Sequence, residues 1–116
     1  MKNRIENLMP QGIPRYVRCY DNEGESLDRY TVCFTGRIRR KCGGGFDYLS
    51  MNAAPFHPQG IGQHGWHDCQ IDVNKSGFAP AIGRKNHLGK RIPFETLPED
   101  CRKLVLQDYK AIWDLK

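Results

Sequence analysis

Twelve residues, Phe56–His67, gather more reactive and ligand-binding side chains than any other stretch of this 116-residue chain. They hold three histidines (His57, His64, His67), two large aromatics (Phe56, Trp66), Pro58 and three glycines (Gly60, Gly62, Gly65). No helical or strand period of apolar residues runs through them, which predicts a long glycine/histidine-rich loop. Each glycine gives up much backbone freedom on ordering. Loops that bear that cost commonly line a binding site.

Three chemistries suit these residues. His64-x-x-His67-x-Cys69, with His57 or Cys42 as a fourth ligand, offers metal donors, although zinc sites usually show tighter paired spacing and a defined second pair. Cys69 or Cys42 as nucleophile with a histidine base is a second arrangement, and no local signature accompanies it. Third, Phe56, Trp66 and Tyr48 can stack on a ring while histidines bond its edge. The third uses the neighbouring cations as well and is preferred. For Trp66 taken alone, a plug in the core under the loop is the better reading. Asp47, Asp68 and Asp72 are the only acids between residues 29 and 91, where they offset local charge or cap turns.

Two basic clusters flank the histidines. Arg37, Arg39, Arg40 and Lys41 precede three glycines. Arginine forks grip phosphate with parallel hydrogen bonds, and backbone amides of a glycine turn add an anion nest. The same residues also suit a charged hairpin tip that keeps a sheet soluble. They are not a Walker loop, which needs Gly-x-x-x-x-Gly-Lys-Ser/Thr. The second cluster is Arg84, Lys85, His87, Lys90 and Arg91, with Gly83 before it and Gly89 within it; it suits either a ligand loop or a mobile one.

The elements that must position these groups are partly legible. Residues 1–14, broken by Pro10, Gly12 and Pro14, predict a flexible or extended arm ahead of a single domain over 15–116. Arg15–Tyr20, Tyr30–Thr35 and Phe46–Met51 read as strands of an antiparallel meander, the second with room to run on through Arg39. Residues 52–90 show little periodicity beyond a strand-like Cys69–Val73. A helix is predicted over 98–114. Pro98 suits its first turn, Glu99 and Asp100 its positive end, and Cys101, Val105, Tyr109 and Ile112 form the apolar stripe. Leu106 and Leu115 fall off that stripe, which predicts burial on a second side or against another subunit. The fold class is α+β: an antiparallel sheet with the C-terminal amphipathic helix packed on one face.

Charge narrows the partner. The net charge is +5. Residues 29–91 carry 10 basic and 3 acidic side chains, whereas residues 1–28 and 92–116 each carry 4 basic and 5 acidic. The excess therefore lies in the middle of the chain and points to an anionic partner. The C-terminal helix is nearly neutral, which argues against a helix reading a DNA groove. No apolar run approaches the ~20 residues that span a bilayer, and the first ten residues lack a signal-peptide core. A cytoplasmic protein is expected. Its five cysteines (Cys19, Cys33, Cys42, Cys69, Cys101) form no Cys-x-x-Cys pair and are expected to be free thiols. Cys19, Cys33 and Cys101 suit the core, and Cys42 and Cys69 suit exposed loops.

Three stretches, Arg29–Gly36, Ala54–Gly65 and His87–Trp113, resemble a family of small uncharacterised proteins encoded by phages and prophages. The resemblance carries no catalytic residue. It implies a compact cytoplasmic accessory protein that counters host defence by sequestering a nucleotide signal, by docking on a defence protein, or by cleaving a signal. A mimic of nucleic acid would be acidic, and this chain is basic.

The reading that uses most of the residues is a non-catalytic anti-defence binding protein, expected to be a homo-oligomer. It would capture a small phosphorylated ligand such as a cyclic oligonucleotide or an ADP-ribose derivative. Arg37, Arg39 and Arg40 would meet phosphate. His57, His64, Arg84, Lys85 and His87 would close over base or ribose, with Phe56 or Tyr48 stacking. No cofactor, resident metal or catalytic residue belongs to it. The rivals are a protein–protein inhibitor of a defence complex such as CRISPR-Cas, a metal- or histidine-dependent phosphoesterase, and a nucleic-acid-binding accessory protein.

Overall fold

Antiparallel pairing dominates the computed structural model, which describes residues 4–35, 46–67 and 80–115. In chain order its elements are α1 (Arg4–Leu8), β1 (Val17–Asp21), β2 (Tyr30–Phe34), β3 (Phe46–Met51), β4 (Gly62–His67), β5 (Lys85–Asn86), β6 (Gly89–Ile92) and α2 (Glu99–Ile112). The six strands form one sheet in the order β4-β3-β2-β1-β6-β5. The expected α+β arrangement is present, and the meander runs through four strands where three were read. The hairpin β5–β6 then adds beside β1 at the far edge.

Side-chain alternation divides the sheet into two faces. Val17, Cys19, Tyr30, Val32, Phe34, Leu49 and Met51 point to one side, where they pack with Cys101, Val105 and Tyr109 of α2 and with Leu97. The predicted helical stripe is the buried one: Cys101, Val105 and Tyr109 are fully covered. Lys103 meets Glu99 one turn earlier at 3.6 Å. After Trp113 the chain turns through Asp114, at φ 54°, and the Leu115 amide donates to the Lys110 carbonyl at 2.7 Å. That reversal packs the partly buried Leu115 against the same core.

The arm expected over 1–14 is docked where it is described. Leu8 sits in the core, and its carbonyl accepts hydrogen bonds from Tyr109 Oη at 2.6 Å and from the Arg15 amide at 3.0 Å. The short helix is followed by a 3-10 turn (Pro10–Gly12), and Leu8 and Met9 anchor the segment to the core. The proposed run of β2 through Arg37–Arg39 and the strand at Cys69–Val73 lie outside the described residues.

The expected long loop is cut in half. Residues 52–61 do form a loop, organised by Asn52, whose Oδ1 accepts from the amides of Ala54 and Ile61, each at 3.1 Å. Gly62–His67, however, pairs residue for residue with β3. This edge strand is held by backbone bonds and buries little side chain, so no apolar alternation marks it. Among the described residues, no helix is long and apolar enough to cross a membrane.

Candidate ligand-binding cleft

The sheet face turned away from α2 carries a second, smaller cluster of Tyr20, Cys33 and Phe46, with Tyr48 and Leu88 against it. Strand register explains the grouping. Tyr48 lies opposite Cys33, and Cys33 opposite Arg18, so the three form a row across β3, β2 and β1. The β5–β6 hairpin supplies the cover. Its two-residue turn, His87–Leu88, is closed by the Asn86 side chain accepting from the Leu88 amide at 2.8 Å. Gly89 follows at φ 118°, and a Cβ there would stand 2.5 Å from the Asp21 carbonyl oxygen. Only glycine lets the hairpin approach β1 this closely.

Between hairpin and sheet lies a cleft of about 170 Å³. Thr31, Cys33, Tyr48 and Ser50 make its floor, Phe46 and His67 one wall, His87 and Leu88 the other, and Asp28 its mouth. Phe46 and His67 stack, with centroids 5.2 Å apart and planes inclined by 5°. The Tyr48 ring lies across Gly65 of the neighbouring strand. A Cβ on Gly65 would meet Tyr48 Cζ and Oη at 2.5 Å. The missing side chain at 65 is therefore what lets the tyrosine lie flat. A space of this size takes one ring system, smaller than the ~300 Å³ lower bound of drug-sized pockets. Hydroxyl, imidazole and carboxylate groups around an apolar floor suit a flat ring with a polar edge.

Of the site residues expected from sequence, the structure brings two together here, Tyr48 and His87. The other described ones lie elsewhere. His64 projects to the α2 face, where Nε2 is 3.3 Å from Asp47 Oδ1 and Nδ1 is 3.9 Å from Asp108 Oδ2. Three residues apart on one strand, His64 and His67 point to opposite faces, so the expected His64-x-x-His67 metal pair does not converge. His57 belongs to the 52–61 loop and accepts from the Gln59 amide through Nδ1 at 3.1 Å. Phe56, 48% exposed on that loop, does not line the cleft. Trp66 lies at the sheet edge, 36% exposed, and is no core plug. Lys85 pairs with Glu23 at 3.1 Å, and the carbonyl of exposed Arg84 accepts from the Arg91 amide at 2.8 Å. Arg37, Arg39, Arg40, Cys42 and Cys69 lie outside the described residues.

Sequence reasoning passed over Phe46, Asp28 and Leu88 as ligand groups. Phe46 carried one available signal: it faces the same way as Tyr48 on a strand whose core side is Leu49 and Met51. Asp28 and Leu88 reach the cleft through long-range pairing and had no local mark.

The chain matches no protein-family model, no curated protein and no solved structure.

Burial, with Cys19 beside it, pushes the Cys33 thiol well above its ordinary range, and burial pushes Cys19 up to about 12. Cys33 is thus a neutral thiol in the cleft floor. On the opposite face, burial raises the Asp108 carboxyl; His64 counteracts this and Asp47 reinforces it. An acid with a raised folded-state pKa favours folding below its unfolded value, about pH 4. It opposes folding as pH rises through the folded value. Asp108→Asn is therefore expected to raise Tm at pH 7 and leave it nearly unchanged at pH 3, measured by paired melts. Equal shifts at both pH values would show that ionisation of Asp108 is not the cause.

Proposed function

We propose that this protein is a non-catalytic binding module that captures a small phosphorylated ligand of nucleotide type. The ring of the ligand enters the cleft and stacks on Tyr48, while His87, His67 and Asp28 address its edge. The observation that carries this reading is the cleft itself, where an aromatic floor and histidines meet on a sheet face of a strongly basic chain segment. The phage-type sequence resemblance supplies the biological setting: the captured ligand is a host immune signal, such as a cyclic oligonucleotide or an ADP-ribose derivative.

A thermal-shift and calorimetric screen with cyclic dinucleotides, cyclic trinucleotides and ADP-ribose isomers tests it, with mass spectrometry of the ligand recovered after heating. A stabilised protein that returns intact ligand is expected. Base–aromatic stacking contributes about 1–3 kcal/mol per base, so Tyr48→Ala should weaken binding by roughly tenfold to a hundredfold. A chemically altered ligand would instead reveal a hydrolase. Absence of any shift would turn attention to a protein or nucleic-acid partner.

A further inference from the structure

Two arginines on the cleft face have no acidic partner among the described residues. Arg91 of β6 lies opposite Tyr20 of β1, and Arg18 precedes Tyr20 by two residues on the same face. They are therefore diagonal neighbours on adjacent strands, at a spacing of roughly 7–8 Å between Cα atoms. Both stems are packed: the Nε atoms of Arg18 and Arg91 are buried with no hydrogen-bond partner. Arg91 Nη1 donates to the Pro80 carbonyl at 2.7 Å, which fixes its guanidinium. Arg29, Lys85 and Lys103 each meet a carboxylate, whereas neither Arg18 nor Arg91 forms an ion pair among the described residues.

Holding two half-buried guanidiniums together is electrostatically costly unless an anion joins them. The strain registers on Arg18, whose pKa is lowered by burial first and by the Arg91 charge second. An oxyanion relieves that repulsion and satisfies planar forks that present parallel N–H groups. The pair also sits where a phosphate would be wanted. Arg18 lies directly across from Cys33 of the cleft floor, two strands from Tyr48, or roughly 10 Å at the usual interstrand spacing. A nucleoside phosphate spans such a gap through its sugar.

We propose that Arg18 and Arg91 form an oxyanion site that receives the phosphate or pyrophosphate group of the ligand whose ring occupies the cleft. The ring half rests on the binding reading above; the anion half stands on the two arginines. The full chain is titrated with inorganic pyrophosphate, adenosine and AMP, followed by calorimetry and by the arginine Nε–H signals in NMR. Pyrophosphate is expected to move the Arg18 and Arg91 signals. Arg18→Gln should weaken pyrophosphate binding about tenfold or more, Arg18→Lys should recover only part of it, and Gln63→Ala, outside the cleft lining, should leave it unchanged. AMP binding more tightly than either half identifies a nucleotide as the carrier, and pyrophosphate matching AMP identifies a free oxyanion. Pyrophosphate bound equally by wild type and Arg18→Gln, or unmoved Arg18 and Arg91 signals at saturation, would overturn the site. Adenosine bound through Tyr48 with no pyrophosphate binding overturns the anion site and keeps the ring reading. Pyrophosphate bound through Arg18 with no adenosine binding keeps the anion site and overturns the ring reading.

Discussion

Tyr109→Ala is expected to destabilise the protein by about 3–5 kcal/mol, the usual cost of removing a large buried aromatic ring. Tyr109 is fully buried at the centre of the helix–sheet interface. Its ring stands 6.5 Å from Phe34 and 6.3 Å from Trp113, so it joins β2 to the end of α2. Its hydroxyl reaches the chain start, donating to Leu8 and accepting weakly from the Tyr16 amide at 3.4 Å. Tyr109→Phe separates the two roles. It keeps the ring and removes the bond to Leu8, at a cost of about 1–2 kcal/mol. Urea melts of both variants measure the difference, and hydrogen exchange should show α1 opening in Tyr109→Phe before the sheet does. Equal destabilisation by the two variants would mean that ring packing contributes nothing beyond the hydroxyl.

Gly65→Ala should separate function from stability in the opposite sense. The added methyl collides with the far end of the Tyr48 side chain and not with backbone. The ring can swing away at modest cost, so Tm should fall by only a few degrees, as for a loss of about 1 kcal/mol. The displaced ring no longer forms the cleft floor, and ligand affinity should fall by roughly tenfold to a hundredfold, as for Tyr48→Ala. The double variant Gly65→Ala/Tyr48→Ala should then be no weaker than Tyr48→Ala alone, because both changes remove one interaction. Additive losses in that cycle would place the ligand elsewhere. Gln63→Ala, on the same face of β4 but outside the cleft lining, is the matched control.

The elements that could be read ahead of the structure were those whose own side chains are buried. Cys101, Val105 and Tyr109 recur at helical spacing because α2 buries a single stripe. Tyr30–Phe34 and Phe46–Met51 stand out because β-branched and aromatic residues fill both faces of central strands. Gly62–His67 was hidden for the converse reason. It is an edge strand, and its glycine at 65 serves a ring on its neighbour. Composition there describes what β4 makes room for, not what it buries. The turn residues of the β5–β6 hairpin were visible as a basic, glycine-containing segment, but their destination was not.

The chain's own sequence determined the α+β class, the central strands, the C-terminal helix and the concentration of positive charge in residues 29–91, because these follow from local periodicity and composition. Tertiary structure alone decided which of the chemically promising residues meet. Strand alternation sent His64 to the helix side and His67 to the cleft side. The pairing of β6 with β1, about 70 positions away, brought His87 to the cleft that Tyr48 lines and set Arg91 beside Arg18. Those encounters depend on long-range register, which leaves no mark at the residues it joins.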